Sequence, residues 1–384
     1  MEQGHQRSGP DGITRRDVLT GVAGATAAAA LIHQTAGARQ ATPAATPAPV
    51  STATPGQVKF GFVLSHEQFP TPELLELGVA AEDAGFDELW TSDHFQPWQD
   101  NEGHAMFPWI TLALLGARTS KITFGTGVTC PTYRHHPSQV AQAFASLGIL
   151  YPGRVYLGVG TGEALNEQAA TGVWAPYQER ADRWVEAVQF IRQLWGGDFL
   201  EFAGQYYQTP VAKLYDVPEL PVPIYMAASG PNSARLVGEN GDGWICGAAD
   251  LMMKPELRPM VLEAAQGAGR NPDAFPVRAE TFVVVGGQAE AEYAAARWRF
   301  TPNSWTRNLL WDPDPRSIQA KAEAMTPTDQ LLMNWPVSTD PSVHADFINQ
   351  VIEGGATHVY IHSGQQDQRR VIDFFGDQVL PQFS

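Results

Sequence analysis

The sequence predicts an α/β protein: a closed (β/α)8 TIM barrel with insertions at the C-terminal face of its strands. Three observations carry this expectation. From residue 58 onward, short apolar runs of strand length alternate with segments of helical period, and the alternation occurs eight times. Eight mostly parallel units close on themselves more naturally than they form an open sheet. The turn after the first strand, Ser65-His66-Glu67-Gln68-Phe69, lacks the glycines that a doubly wound nucleotide-binding fold needs there.

The chain divides into three parts. Thr14-Arg15-Arg16-Asp17-Val18-Leu19 places two arginines before a mildly apolar run, and Ala36-Gly37-Ala38 follows as a small-x-small cleavage site. That order makes residues 1–38 a secretory signal of twin-arginine type, too short and alanine-rich for a permanent membrane span. Residues 39–56 form a Pro/Thr/Ala linker that cannot bury apolar surface. No linker interrupts residues 57–384, which form one catalytic domain.

Within that domain the apolar runs 58–64, 88–92, 122–128, 154–159, 224–228, 243–246, 277–285 and 358–362 read as strands. Helical spacing covers 72–84, which stops at Gly85, and then 107–118, 137–150, 178–195, 233–239 and 255–268. It resumes from Ala289 and covers 342–352 and 368–379. Residues 199–207 alternate around Gly204 as a hairpin, and 303–334 reads as an irregular insertion.

Composition narrows the function. Of 384 residues 43% are apolar and 17% charged, which suits a globular core. A net charge of −16 repels polyanions, so nucleic acid is excluded as a partner. No H-E-x-x-H, C-x-x-C or P-loop occurs, which disfavours metal and nucleoside triphosphate chemistry. Cys130 and Cys246 have no metal spacing; a disulfide is one option, a packed free thiol the favoured one.

Chemistry gathers where strands end. The second strand runs out into Ser92-Asp93-His94-Phe95-Gln96-Pro97-Trp98. A histidine there can take a proton from an alcohol, and Asp93 could orient its ring. His104, in the loop beyond, is the weaker candidate. Trp98 supplies either an aromatic wall or a loop anchor. The fourth strand ends in Gly160-Thr161-Gly162-Glu163, a glycine turn that lets a flat ring approach and a carboxylate at a helix start. The glycines of Gly125-Thr126-Gly127-Val128 suggest unusual backbone or close ligand approach. The Ala227-Ala228-Ser229-Gly230 run before a helix makes a cradle for a phosphate or ribityl chain, with tight helix packing as the rival at both places.

These runs, with Gln142-Ala143-Phe144-Ala145, Asn166-Glu167 and Asp367-Gln368-Arg369-Arg370, resemble the coenzyme F420-dependent glucose-6-phosphate dehydrogenase family of luciferase-like TIM barrels. The resemblance implies coenzyme F420, an 8-hydroxy-5-deazaflavin, as cofactor. It implies His94 as the base that removes the hydroxyl proton, Glu163 as an acid near the reduced ring and Trp98 as a stabiliser of the charged intermediate. It implies cofactor contacts at Asp93, Gly127, Val128, Cys130, Gly160, Gly162, Asn166, Ala227, Ala228 and Ser229, and a non-proline cis bond at Gly127-Val128.

The chain departs from that family where the sugar phosphate is gripped. Cys246-Gly247-Ala248-Ala249-Asp250 has no cation, Asn334 stands before Trp335 where a cation is expected, and residues 301–314 offer only Arg307. Charge-assisted bonds contribute about 1.5–3 kcal/mol each, so these losses argue against glucose 6-phosphate. Cation-poor and exported, the chain resembles instead the F420-dependent hydroxymycolic acid dehydrogenases, which oxidise a hydroxyl of a cell-envelope lipid to a ketone. Trp298, Phe300, Trp305 and Trp311 would line an apolar groove or pack in the core. The expected partners are a small-molecule or lipid alcohol, the twin-arginine translocase and a second copy of the chain. Rival readings are a luciferase-like reductase or monooxygenase using F420 or flavin mononucleotide, and an exported barrel that only binds lipid or sugar.

Overall fold

The computed structural model describes residues 58–383. The signal and linker assigned to residues 1–56 lie outside them. Eight strands close into a barrel: β1 Lys59–Leu64, β2 Glu88–Thr91, β3 Thr123–Thr126, β4 Val155–Val159, β5 Ile224–Ala227, β6 Gly243–Gly247, β7 Val277–Phe282 and β8 His358–His362. Each pairs in parallel with its neighbours in chain order, and β8 returns to β1. They are the eight strands expected from sequence.

Alternate side chains of each strand face inward. Val63, Trp90, Tyr156, Tyr225, Ile245 and Tyr360 form a buried cluster of their own, in which Trp90 stacks on Tyr360 at 3.9 Å between centroids. Rings of this size need small neighbours. A Cβ at Gly125 would stand 2.2 Å from the Tyr156 carbonyl oxygen, so close packing, not ligand approach, explains that glycine. At the N-terminal end Glu88 pairs with Arg278 at 3.3 Å and accepts from the Tyr360 hydroxyl.

Outside the barrel, helices Thr71–Asp83, Pro108–Arg118, Pro137–Leu150, Pro231–Asn240 and Pro341–Glu353 all carry proline in the first turn, where its missing N–H costs nothing. Their apolar faces cover the strands in one continuous core.

Three expectations need correction. The run 277–285 is not one strand: it breaks at Val283, and Val284–Val285 pairs instead with Val337–Ser338. The hairpin is longer than expected, with strands Leu200–Ala203 and Gln208–Ala212. Residues 303–334 are not irregular. They hold helices Arg307–Leu310, Pro315–Met325 and Thr328–Leu332. Asp314 caps the second, accepting from the Arg316 N–H at 3.0 Å, and Pro315 opens it. Among the described residues no helix is long and apolar enough to cross a membrane.

Candidate active site

The C-terminal rim of the barrel gathers the expected residues. His94, just past β2, sets its Nδ1 3.1 Å from the Gln96 carbonyl oxygen. A carbonyl only accepts, so Nδ1 carries the hydrogen and Nε2 is the basic nitrogen of the neutral ring. Nε2 lies 3.5 Å from Oε1 of Glu67, at the end of β1. Burial pushes the Glu67 carboxyl up, but the His94 charge and the Ser92 hydroxyl bond outweigh it and hold the group below the usual carboxylate range. Ser65 and Ser92 both donate to Glu67 Oε2, at 2.9 and 2.5 Å. The pair is therefore an imidazole facing an ionised, buried carboxylate.

Asp93 does not orient His94, contrary to expectation. It turns the other way, accepting from Thr129 Oγ1 at 2.6 Å, pairing with Arg134 at 2.7 Å and meeting His135 at 3.4 Å. Both of its oxygens are spent inside the protein, 3% of the residue being exposed. The Arg134 N–H in turn bonds Glu167 at 2.8 Å. Burial lifts the Glu167 carboxyl to about 7 despite Arg134, with Glu163 and Asp93 adding to the rise. His104 is exposed, and only its backbone matters, donating to the Glu67 carbonyl.

The Gly127-Val128 bond is cis. Beside it, Gly160 and Gly162 follow β4, and Gly162 has φ 74. Cys130 packs under the turn, a buried free thiol bonded to Thr132, as Cys246 is buried and free on β6. Glu163 takes the N-cap position of helix Ala164–Thr171, yet its side chain makes no cap bond. Its Oε2 accepts from Asn166 Nδ2 at 3.1 Å. Asn166 Oδ1 accepts from the backbone N–H of Phe95 at 2.8 Å and of Gln96 at 3.3 Å. One amide thus joins the Glu163 carboxylate to the loop that carries His94. Most of its hydrogen-bonding capacity is used within the protein.

Trp98 stacks on Phe300 at 4.6 Å and 14°, with its ring centroid 6.2 Å from that of His94. Trp298, Phe300, Leu309 and Ile318 complete this cluster, so core packing accounts for Trp298 and Phe300. Trp305 is exposed, and Trp311 meets Trp174 edge to face. Outside the His94 loop a cleft of about 560 Å³ runs between Phe95, Gln96, Pro97, Gln168, Pro313 and Arg316.

Across the rim, β5 ends at Ala227 and Ala228 follows it. The Ser229 hydroxyl that follows is spent on Asp250 at 2.8 Å. A Cβ at Gly230 would meet only Ser233 Oγ at 3.9 Å, and one at Gly247 only Asp250 at 3.7 Å. Two strand ends therefore present bare backbone beside open space, and the helix Pro231–Asn240 starts there without a side-chain cap. This is a cradle suited to a flat ring with an anionic tail. Among the described residues no cluster could hold a metal ion.

A family model described as luciferase-like monooxygenase matches residues 51–358. The chain belongs to that family. Among its luciferase-like relatives, the F420-dependent hydroxymycolic acid dehydrogenase of Mycobacterium tuberculosis is 52% identical over 334 residues, covering 87% of this chain and 91% of that protein. The F420-dependent glucose-6-phosphate dehydrogenase of Nocardia farcinica is 43% identical over 332 residues, covering 85% and 98%. A solved F420-dependent secondary alcohol dehydrogenase, in complex with an F420-acetone adduct, superposes with TM-score 0.77 at 30% identity, covering 84% of this chain and 98% of that one.

The cation-poor stretches hold one lysine that sequence reading passed over. Lys254, beyond β6, bonds Asp250 at 2.7 Å and the Ser229 carbonyl at 2.9 Å. Its charge is thus already compensated. Asn334 is exposed and bonds its own helix, and Arg307 lies over Trp311.

Proposed function

We propose that this protein oxidises a secondary alcohol to a ketone with coenzyme F420 as hydride acceptor, and that its substrate is a hydroxylated cell-envelope lipid of the hydroxymycolic acid kind. The observation that carries the reading is the His94–Glu67 pair: a ring whose tautomer the Gln96 carbonyl sets, with its basic nitrogen at 3.5 Å from an ionised carboxylate. A protein that only binds lipid needs no such pair. The bound deazaflavin supplies an acceptor for the hydride leaving the carbinol carbon. His94 Nε2 takes the hydroxyl proton, and Glu67 stabilises the imidazolium so formed. The Gly127-Val128 bond, Gly160 and Gly162 would hold the deazaflavin ring and Ala227, Ala228 and Ser229 its tail, with the buried Cys130 thiol packed beneath Gly162. Asn166 and Asp93 brace this surface from within. Glu163, held by Asn166, keeps a proton-exchanging group beside the ring. Trp98, buried against Phe300, walls the site from water.

Support for a lipid over a sugar phosphate comes from the compensated charge of Lys254, which leaves no free cation beside Ser229 and Asp250 to grip a phosphate dianion. The test is reduction of F420, followed by loss of its absorbance, against secondary alcohols, envelope hydroxy-lipid extracts and glucose 6-phosphate. Turnover with the lipid extract and none with the sugar phosphate is expected. Preferential turnover of glucose 6-phosphate makes it a sugar dehydrogenase, and reduction of flavin mononucleotide but not F420 overturns the cofactor.

We further infer export by the twin-arginine route to the cell envelope from Arg15-Arg16 and the alanine-rich run. Replacing both arginines by lysine should retain the protein in the cytoplasm. A homodimer is supported by Ile110 and Leu114, exposed on the Pro108–Arg118 helix, and by Phe107, exposed just before it. I110E/L114E should shift the sedimentation coefficient to that of a monomer.

A further inference from the structure

Behind the glycine turn that carries Glu163 lies a buried cation with no carboxylate of its own. Arg180, on helix Tyr177–Leu194, is 2% exposed. Its Nη1 donates to the Thr161 carbonyl at 3.2 Å, the Thr161 hydroxyl at 3.4 Å and the Gly162 carbonyl at 3.3 Å. Its Nε donates to the Ala175 carbonyl at 3.2 Å, and the Trp174 ring covers the guanidinium at 4.0 Å. Among the described residues it forms no ion pair; Arg278, equally buried at the other end of the barrel, pairs with Glu88. A charge taken out of water is costly unless other interactions compensate it, and here backbone carbonyls and an aromatic face do so.

Those carbonyls belong to the two residues immediately before Glu163. Gly162 is held at φ 74, a conformation in which it has no intrinsic preference over its mirror image. The turn needs an outside constraint to aim Glu163 at one place, and Arg180 is bonded to it at three points. We propose that Arg180 is a positioning residue for the reaction: it clamps Thr161 and Gly162 so that the Glu163 carboxylate stays on the face of the site where the ring is bound. The inference rests on the role given above to Glu163. A lysine keeps the charge but not the planar fork, so it cannot hold two successive carbonyls and the Ala175 carbonyl together.

The groups that face Arg180 are Cys130, Glu163, Tyr133 and Tyr177. Of these Glu163 is the one carboxylate, which makes coupling between the two residues measurable.

The test is a double-mutant cycle on the full chain, R180K with E163Q, reading kcat and KM for the alcohol and, separately, the affinity for F420 by the change in its fluorescence. R180K alone should lower kcat by about ten- to a hundredfold, the size of effect that misplacing a reacting group has, with KM nearly unchanged. F420 should still bind to it within about tenfold of the wild-type affinity, one energy step of 1.4 kcal/mol. In the E163Q background R180K should cost little more, because it acts through a group already removed. Added guanidinium should restore part of the kcat of R180A. Unchanged kcat in R180K, or a full additive loss in the double variant, overturns the inference while leaving Glu163 its role. Unchanged kcat in E163Q instead removes the role of Glu163 itself. If R180K fails to fold, W174L uncovers the guanidinium without deleting a bond to the turn. Its kcat should fall only where Glu163 is present, and a fall of equal size in W174L/E163Q overturns the clamp.

Discussion

Neighbouring residues at the end of a strand project to opposite sides, and this decides which carboxylate serves His94. Asp93 is adjacent in sequence and therefore faces away, into the Arg134 and His135 network. Glu67 is 27 positions earlier, but β1 and β2 are paired, so their ends meet. His94→Ala should lower F420 reduction by about 10²–10⁴-fold, the range of a lost general base, with F420 fluorescence titration still reporting binding. Glu67→Gln keeps the shape and removes the charge that stabilises the imidazolium. Its kcat should fall by about tenfold or more and the loss should be read at saturating alcohol. The placing of His94, Trp98 and Glu163 at one rim of the barrel was legible because each stands where a strand or its turn runs out. Glu67 was not, because nothing local distinguishes a carboxylate that meets its partner only through strand pairing. Arg180 was hidden for the same reason: on its helix it reads as one arginine among several.

At the level of elements, the insertion after β7 was the least legible part. Its helices are short, and the Asp314-Pro315 start was the one strong signal for them. What the insertion does depends on one side chain of the His94 loop. Gln99, fully buried, donates to the Ala296 carbonyl at 2.9 Å and accepts from the Phe300 N–H at 3.2 Å. It ties the loop to the segment on which Trp98 stacks. Gln99→Ala leaves the Phe300 N–H unpaired in the interior, at about 1–3 kcal/mol, while the Ala296 carbonyl keeps its bond from Asn101 Nδ2 at 2.9 Å. A melting temperature lowered by several degrees is expected, together with a fall in kcat as Trp98 loses its support. A wild-type melting curve would show that the two segments are held by packing alone. Seven of the eight barrel strands were legible to within two residues at each end, because buried parallel strands are short continuous apolar runs bounded by turns; the run 277–285 overran its strand by three.

For the whole molecule, pH dependence follows from buried groups with displaced pKa values. Glu167 binds its proton more tightly folded, at about 7 against an ordinary 4.5. The stability this proton provides is fully present below 4.5 and is lost as pH rises through about 7. Glu167→Gln removes the penalty of ionising a buried acid, so its stability relative to wild type should be greater at pH 8 than at pH 5. At 1.36 kcal/mol per unit the difference is at most about 3 kcal/mol, measurable by urea denaturation at the two pH values. Near the opposite mouth of the barrel the sign reverses. His358, deeply buried beside Arg278, is pushed down to about 3 from 6.5. It favours the fold above pH 6.5, and that contribution is withdrawn as the solution is acidified toward 3.

The barrel closes by joining its first strand to its last, and Glu67 sits beside that seam. The next residue, Gln68, bonds the Gly364 carbonyl at 2.9 Å and receives the Trp298 indole N–H at 2.7 Å. The partner of the base is therefore locked in place by residues synthesised 230 and 296 positions later. A ribosome still making this chain carries no half-built catalyst: until the segments after the last two strands dock, the carboxylate that serves His94 has no fixed place.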